Sequence, residues 1–205
     1  MTGPRAILGA LAALAAASVA LAAQPSAKPA PTRPAPKAAP ENTAALTIKD
    51  IMDSRVDPAG DFLFEAVVTS SDAKGIHHKA PHTARQWAEV RRHIQVLIDA
   101  PDLITVPGRK AAQPEERSRN AAVENQPEQV ERLINAQRPD FVIRAGRLRA
   151  AAKVAMTAAD ARDSKALFTA VSGIDKACES CHLHYWYPND KRAHQAAEEE
   201  GGIIP

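Results

Sequence analysis

Cys178, Cys181 and His182 lie in the segment CESCH, whose residue types and spacing could support chemistry. The segment contains both cysteines of the 205-residue chain, and the histidine follows the second cysteine directly. Close cysteine pairs serve three chemistries in proteins, namely thiol–disulfide exchange, zinc binding and covalent attachment of heme. The secondary structure around these three residues distinguishes the three chemistries.

The segment lies at the end of a predicted helix that begins after Asp163, a candidate N-cap. Apolar residues then recur at helical spacing, at Leu167, Val171, Ile174, Cys178 and Cys181. Positions 178, 181 and 182 are i, i+3 and i+4 on that helix, so both thiols and the imidazole project from one side. This arrangement suits covalent heme, because the thiols can add to the two vinyl groups while the imidazole approaches the iron.

Each alternative to heme needs a feature that the sequence does not provide, or would contribute little. A thioredoxin-like pair would need a strand–helix context and a mixed sheet, which the sequence pattern does not predict. A zinc site usually has four protein ligands, whereas Cys178, Cys181 and His182 offer at most three. A structural disulfide is compatible with export, but one between consecutive helical turns would stabilise the fold little. We therefore interpret Cys178 and Cys181 as heme attachment sites and His182 as an iron ligand.

The N-terminal region predicts export to the periplasm. Arg5 is followed by the uncharged apolar run AILGALAALAAASVALAA, and Ala20–Ala22 fits the small-x-small pattern of signal-peptidase cleavage. We predict a signal peptide at residues 1–22 and a linker at residues 23–43, which is rich in Pro and Ala and therefore disordered. The alternative is an N-terminal membrane anchor, although the run is rich in Ala rather than Leu.

Charge and length limit the domain that remains, which we place at residues 44–192, ahead of a polar tail at 193–205. About 150 residues are enough for one domain with a hydrophobic core. The predicted signal peptide contains only one of the 26 Lys and Arg residues, so the mature chain nearly balances its 24 Asp and Glu residues. This balance argues against nucleic acid as a partner.

Helical periodicity predicts four main helices and no strand. The first is interrupted at Asp57–Pro58, the second begins after Thr83 as N-cap and stops at Pro101, and the fourth carries the motif. The buried positions of the first three are Leu46, Ile48, Ile51, Met52 and Val56; Trp87, Val90, Ile94 and Leu97; and Phe141, Ala145, Leu148, Ala152, Ala155 and Ala159. We predict an all-α antiparallel four-helix bundle with heme near the C-terminal helix. Residues 101–127 predict a long irregular connection, followed by a short helix at Val130–Ile134.

A C-terminal CESCH on the last helix of a four-helix bundle resembles the class II c-type cytochromes, the cytochrome c′ family. The resemblance covers Leu46 to Lys191 and includes a methionine in the first helix, within TIKDIMDSRVDP. It implies one heme c held by thioether bonds to Cys178 and Cys181, with His182 as proximal ligand. Low-spin members use a first-helix methionine as second axial ligand, and Met52 matches that place. The alternatives are Met52 as a core residue beside five-coordinate iron, or a histidine as the distal ligand.

Two features depart from the family pattern. Family members often have an Arg four residues after the ligand histidine, where this chain has Trp186, and the connection at 101–127 is longer than the usual loop. The aromatic residues Tyr185, Trp186 and Tyr187 are expected to cover the apolar ring of the heme. The third helix carries a basic face, mostly solvated, that offers candidate partners for a heme propionate: Arg138, Arg144, Arg147, Arg149 and Lys153.

The other histidines are expected to be ordinary surface residues. His77, His78 and His82 lie in GIHHKAPH, which predicts a loop flanked by Gly and Pro, and a second metal site there is the less favoured interpretation. His93 follows Arg91–Arg92 on the polar side of its predicted helix and is expected to be solvated.

These features predict a periplasmic c-type cytochrome that transfers single electrons to a periplasmic or membrane redox partner protein. The alternative is a five-coordinate heme protein that binds a small gas, nitric oxide or carbon monoxide. We do not expect an enzyme, because a peroxidase-type site would need a distal acid–base pair that no local motif supplies. Family bundles often dimerise through their first two helices, so the resemblance makes a homodimer one of the assemblies to test.

Overall fold

The computed structural model describes residues 43–199, and these residues are mostly helical. The predicted signal peptide, almost all of the predicted linker and the last six residues of the predicted tail lie outside the described residues. Within residues 43–199, no helix is both long and apolar enough to cross a bilayer.

Residues 43–199 form seven α-helices and one two-stranded antiparallel sheet. A 3-10 turn at Thr43–Ala45 leads into the first helix, and a π-helical segment at Met52–Val56 joins the first helix to the second. The helices are α1 (Ile48–Ile51), α2 (Asp57–Ala66), α3 (Ala84–Ile104), α4 (Pro127–Ala136), α5 (Arg138–Asp160), α6 (Ser164–Tyr185) and α7 (Lys191–Glu199). The strands are β1 (Val68–Asp72) and β2 (Gly75–Lys79).

The core lies where the long helices meet. Helix α5 packs against both α3 and α6, and α2 packs against α3. The predicted apolar stripes of α3 and α5 are buried there, as are Leu167, Val171 and Ile174 of α6, which confirms their helical periodicity. Cys178 and Cys181, the last members of the α6 stripe, are half-buried. Alanines make up much of the buried face of α5, so its backbone can lie close to its neighbours.

The predicted interruption at Asp57–Pro58 is confirmed in part, because helix α2 begins at Asp57 with Pro58 in its first turn, but the backbone before it stays helical through a π-helical turn at Met52–Val56. Pro58 lacks an N–H and its ring would collide with the carbonyl of Ser54 in a regular α-helix. The wider π-helical turn at Met52–Val56 avoids this collision, and the N–H of Asp57 donates to the carbonyl of Met52. The first predicted helix is therefore one continuous element with an irregular turn at Met52.

Helix α3 confirms the predicted start and corrects the predicted end. The Thr83 hydroxyl accepts from the N–H of Gln86, and the Gln86 side chain accepts from the N–H of Thr83, which forms a capping box. The helix continues past the predicted stop at Pro101 to Ile104. Pro101 is buried and cannot donate to the carbonyl of Leu97, but Arg149 from α5 donates to the neighbouring carbonyl of Ile98 at 3.0 Å. Packing and this added hydrogen bond help to offset the loss.

The prediction of an entirely helical fold misses the hairpin of β1 and β2. Both strands are exposed, so they lack the alternation of apolar and polar residues that marks a half-buried strand. Gly75 closes the turn with φ of 125°, and the Asp72 carboxylate accepts from the N–H of Lys74. The segment that was predicted as a histidine-bearing loop is therefore largely strand β2.

The C-terminal half agrees with the predicted elements at most points. Asp163 caps α6 by accepting from the N–H of Ala166 at 2.9 Å, as predicted. The predicted short helix is present as α4, and residues 105–126 contain neither helix nor strand. The predicted polar tail begins inside helix α7, which has no buried residue.

Candidate functional site

Two adjoining cavities of about 250 and 190 Å³ lie between the helix that carries Met52 and the end of α6. Met52, Asp57, Cys181 and His182 line both cavities, and Cys178 lines the smaller one. The structure thus brings together the four predicted site residues, Cys178, Cys181, His182 and Met52, although Met52 is far from the others in sequence. The combined space falls in the range of small-molecule sites, which begins at about 300 Å³.

The last two turns of α6 present the motif to the cavities. Cys178 and Cys181 are half-buried free thiols. Between them, the Ser180 hydroxyl is buried and donates to the carbonyl of Ala177 at 3.0 Å, while the Ser180 carbonyl accepts from Arg144 of α5 at 2.8 Å. The opposite face of this turn is therefore fixed to α5, which leaves the cysteine face directed at the cavities.

The electrostatic environment of the two thiols keeps them protonated. Burial raises the pKa of Cys178 and of Cys181 to about 12 each. The neighbouring acidic groups Asp175 and Glu179 raise the pKa of Cys178 further, whereas Arg144 partly offsets the effect of burial at Cys181. Because the thiolate is the reactive form, such thiols are poor nucleophiles in disulfide exchange.

His182 offers a neutral imidazole to the cavities. Burial lowers the pKa of His182, so the ring is uncharged at neutral pH and retains a lone pair. No residue in the described part of the chain hydrogen bonds to this ring, which tilts against the ring of Tyr187 with centroids 5.7 Å apart. Tyr187 is itself held by donating to the Glu179 carboxylate at 2.8 Å. The imidazole is thus oriented by packing while its nitrogens stay free to bind.

Met52 and Asp57 form the opposite wall, at the two ends of the π-helical turn. The Met52 thioether is half-buried and packs against the core. Loss of surrounding water raises the pKa of the Asp57 carboxyl, and the nearby His182 partly opposes this rise. The π-helical turn was not predicted, although a proline one residue after Asp57 could have indicated an irregular turn.

The chemistry of the donor set does not suit a metal bound by side chains alone. Within residues 43–199, no three or more His, Cys, Asp and Glu side chains are grouped so as to bind a metal ion. A zinc site would need such a group. Heme requires fewer protein donors because the porphyrin supplies four nitrogens, so two thiols, one imidazole and one thioether around an apolar cavity fit heme better than zinc.

A polar network behind Cys181 was missed at the sequence level. The Asp140 carboxylate accepts from Arg144 Nε at 2.7 Å and from the Tyr185 hydroxyl at 2.9 Å. His184 Nε2 lies 2.6 Å from the side-chain oxygen of Gln137, the residue just before α5, which adds a second contact to α6 at this end of the helix pair. The i, i+4 spacing of Asp140 and Arg144 could have indicated their ion pair, but the contribution of Tyr185 depends on how the helices pack.

The aromatic residues after the motif lie at the larger cavity, where they could pack against an apolar ligand. Tyr185, Trp186 and Tyr187 all line the larger cavity, as does Phe141 of α5. The Phe141 and Tyr185 rings meet edge to face with centroids 5.4 Å apart. These aromatic side chains make this end of the site apolar.

The long connection at residues 105–126 forms another wall of the larger cavity. Its start pairs with α1, where the N–H groups of Ile48 and Lys49 each donate at 2.9 Å to the carbonyls of Lys110 and Ala111. Its end pairs with the residues just after the motif, where the N–H of Asn125 donates to the carbonyl of Trp186 at 2.7 Å. The connection thus joins the element carrying Met52 to the helix carrying His182.

The histidines outside the motif lie away from both cavities. His77 and His78 belong to β2 and contact Asp72 at 2.9 Å and Thr69 at 3.0 Å across the hairpin. His93 is not fully solvated as predicted, because its ring stacks on Phe62 with centroids 3.8 Å apart. Burial lowers the pKa of His93, and its Nδ1 lies 2.8 Å from the carbonyl of Glu89.

No family model, curated protein or solved structure matches this chain. The resemblance to the class II c-type cytochromes therefore depends on the motif, its place on the last long helix and the methionine of the first helix.

Proposed function

We propose that this protein is a c-type cytochrome that transfers single electrons through one covalently bound heme c. The observation that carries the proposal is that Met52 lines the same two cavities as Cys181 and His182. Met52 and His182 would give a heme iron two protein ligands in this site, and Cys178 and Cys181 would hold the heme covalently.

The protein residues would act by fixing positions rather than by reacting. Heme supplies an iron that gains or loses one electron. His182 offers a neutral nitrogen, and Tyr187 packing keeps its ring in place. Met52 offers a soft thioether ligand, which favours the ferrous state and so a higher reduction potential. Two fixed ligands limit rearrangement during electron transfer, so the site needs no catalytic residue and the protein need not be an enzyme.

The proposed architecture and cellular setting follow from the same interpretation. The element from α1 through α2 together with α3, α5 and α6 would form an antiparallel four-helix bundle, with the heme held between its first and last members. Heme attachment to such motifs takes place outside the cytoplasm, so we propose a periplasmic protein whose partner is a periplasmic or membrane redox protein. A homodimer remains one of the assemblies to test.

The decisive experiment tests whether heme is covalently attached to the protein. The protein is expressed with its full N-terminal sequence in a host that matures c-type cytochromes. Acid–acetone extraction of the denatured wild type should leave the heme on the polypeptide. The variant in which Cys178 and Cys181 are both changed to Ala should release any heme into the solvent. Complete extraction of heme from the wild type would contradict the proposal.

A five-coordinate heme protein that binds a small gas is the second candidate. One observation favours it, because Met52 packs against the core and could serve there as an apolar side chain alone. Spectra of the reduced protein with and without carbon monoxide distinguish the candidates. Electron transfer with Met52 bound predicts low-spin iron and slow reaction with carbon monoxide, whereas gas binding predicts high-spin iron and immediate reaction.

A further inference from the structure

Four Lys and Arg side chains line the two cavities, and they differ in whether an acidic side chain already pairs with them. Lys49 pairs with Asp53 and lies 3.1 Å from the Glu116 carboxylate. Arg144 pairs with Asp140 and is only 12% exposed. The remaining two, Arg117 and Arg119, are exposed residues of the connection at 105–126. Among the lining residues within 43–199, available positive charge for a ligand anion is therefore found at this end of the larger cavity.

Arg119 is the freer of the two arginines. Arg117 donates to the backbone carbonyls of Pro114 and Glu116 at 2.8 and 2.6 Å and lies 3.9 Å from the Glu128 carboxylate. In the described part of the chain, no residue hydrogen bonds to the guanidinium of Arg119. Its five N–H donors are thus available to a planar carboxylate.

The backbone of Arg119 is held in place although its side chain is free. The Glu124 carboxylate accepts from the Ser118 hydroxyl at 2.7 Å and from the backbone N–H groups of Arg119 and Asn120 at 2.9 and 3.1 Å. These bonds, the Ser118 hydroxyl first, lower the pKa of Glu124, which keeps it ionised. The Glu124 carboxylate therefore bonds to the backbone of Arg119 and attracts its charge, but it forms no hydrogen bond with the guanidinium, which keeps its donors for a ligand.

The smaller cavity is unsuited to an anion. It has four acidic side chains and one arginine, Arg144, which is engaged with Asp140 and the Ser180 carbonyl. The acidic residues are Asp57, Asp61, Asp175 and Glu179. The larger cavity is also lined by four acidic side chains, but three basic side chains accompany them. A cofactor that carries carboxylates would therefore direct them away from this cavity and toward the connection.

We propose that Arg119, assisted by Arg117, binds the carboxylate groups of the heme, so that the long connection is the cofactor's anion-binding wall. This inference rests on the proposed function, because it takes heme as the ligand. It differs from the expectation that a basic residue of α5 would pair with a propionate, since Arg144 is already paired and the connection supplies the available charge. The long connection would therefore help to hold the cofactor.

The test uses the intact heme-bearing protein and a local vibrational readout. The propionate-bending band in the resonance Raman spectrum reports hydrogen bonding to the heme carboxylates. Arg119→Gln should shift this band to lower frequency and lower the reduction potential, because a positive charge near the heme favours the ferrous state. Arg119→Lys should keep most of the potential but lose part of the band shift, because an ammonium group cannot form the bidentate contact.

Arg132→Gln is the matched control, since Arg132 is an exposed residue of α4 that lines neither cavity. It removes the same charge and should leave the band where it is. An unchanged band in Arg119→Gln, or a shift in Arg117→Gln alone, in protein that retains covalent heme would overturn this assignment while leaving the proposed function intact. Absence of covalent heme from the wild type would overturn both.

Discussion

Met52 is the residue on which the choice between electron transfer and gas binding depends. Met52→Ala should open the sixth coordination position, shift the iron toward high spin, speed the reaction with carbon monoxide and lower the reduction potential. Optical spectra and a redox titration check these outcomes. Met156→Ala is the matched control, because Met156 also packs against the core but lines neither cavity.

The outcomes of the Met52 experiment separate three ligand arrangements. A wild type that is already high-spin and unaffected by Met52→Ala would make Met52 a core residue and favour gas binding. A wild type that stays low-spin after Met52→Ala would indicate a histidine as the distal ligand, with a lower reduction potential. Electron transfer would survive the second result but not the first.

The thiols allow a pH-dependent prediction in the folded chain without heme. Burial raises the pKa of Cys178 and Cys181 to about 12, so alkylation by iodoacetamide should remain slow at pH 8 and accelerate as the pH rises well above that. Denatured chain is the control and should titrate near the ordinary value of about 8.5. Equal alkylation rates for folded and denatured chain at pH 8 would show that the fold does not shield these thiols.

At the scale of single elements, the cap of α6 supports the helix that carries the motif. Asp163→Ala removes the acceptor for the N–H of Ala166 and should lower the free energy of unfolding by about 1 kcal/mol. Asp163→Asn retains a side-chain acceptor and should cost much less. Urea denaturation of both variants measures the difference, and equal losses would show that the cap does not act through this hydrogen bond.

The contact between α5 and α6 depends on a buried hydroxyl. Tyr185 is 2% exposed and donates to the Asp140 carboxylate at 2.9 Å. Tyr185→Phe should lower the free energy of unfolding by about 1–2 kcal/mol, because a hydrogen bond to a charged group is lost. A double-mutant cycle with Asp140→Asn checks the pairing, and additive losses would mean that the two groups do not interact.

At the scale of the whole molecule, three carboxylates whose pKa is lowered in the folded state should weaken the fold when acid protonates them. Arg144 lowers the pKa of Asp140, and the Ser118 hydroxyl lowers that of Glu124. Burial opposes ionisation of Asp50, but hydrogen bonds from Thr47 and Gln113 outweigh it and lower its pKa as well. A lowered pKa in the folded state stabilises the fold above the unfolded value of about 4, and this stabilisation is lost as the pH falls through the folded value.

Thermal unfolding should therefore shift to lower temperatures below about pH 4. A separate decline between pH 7 and 5 is expected from His93 and His182, because their lowered pKa in the folded state makes their protonation oppose folding. Asp57 acts in the opposite direction, because its pKa is raised in the folded state and its protonation favours folding. Replacing Asp50, Glu124 and Asp140 with their amides should flatten the acid dependence of the melting temperature. An unchanged acid dependence in that variant would show that these carboxylates do not control acid stability.

The sequence by itself determined the features that depend on near neighbours. The i, i+3, i+4 spacing of the motif places both thiols and the imidazole on one side of a helix wherever that helix lies. The caps at Thr83 and Asp163 are equally local, because each side chain bonds to an N–H three residues further on. The apolar stripes identified the buried faces of the long helices for the same reason.

Tertiary structure decided what depends on partners that are remote in sequence. Helix α3 continues past Pro101 because Pro101 is buried in the core and Arg149 of α5 donates to the nearby carbonyl of Ile98. The exposed hairpin carries no apolar alternation, so only its cross-strand bonds reveal it. Met52 and His182 line one cavity only because the helices pack together. Arg119 lies at that cavity because the connection is hydrogen bonded to both of its walls. Spacing along the chain cannot encode such contacts, because their free energy comes from groups that meet only in the folded molecule.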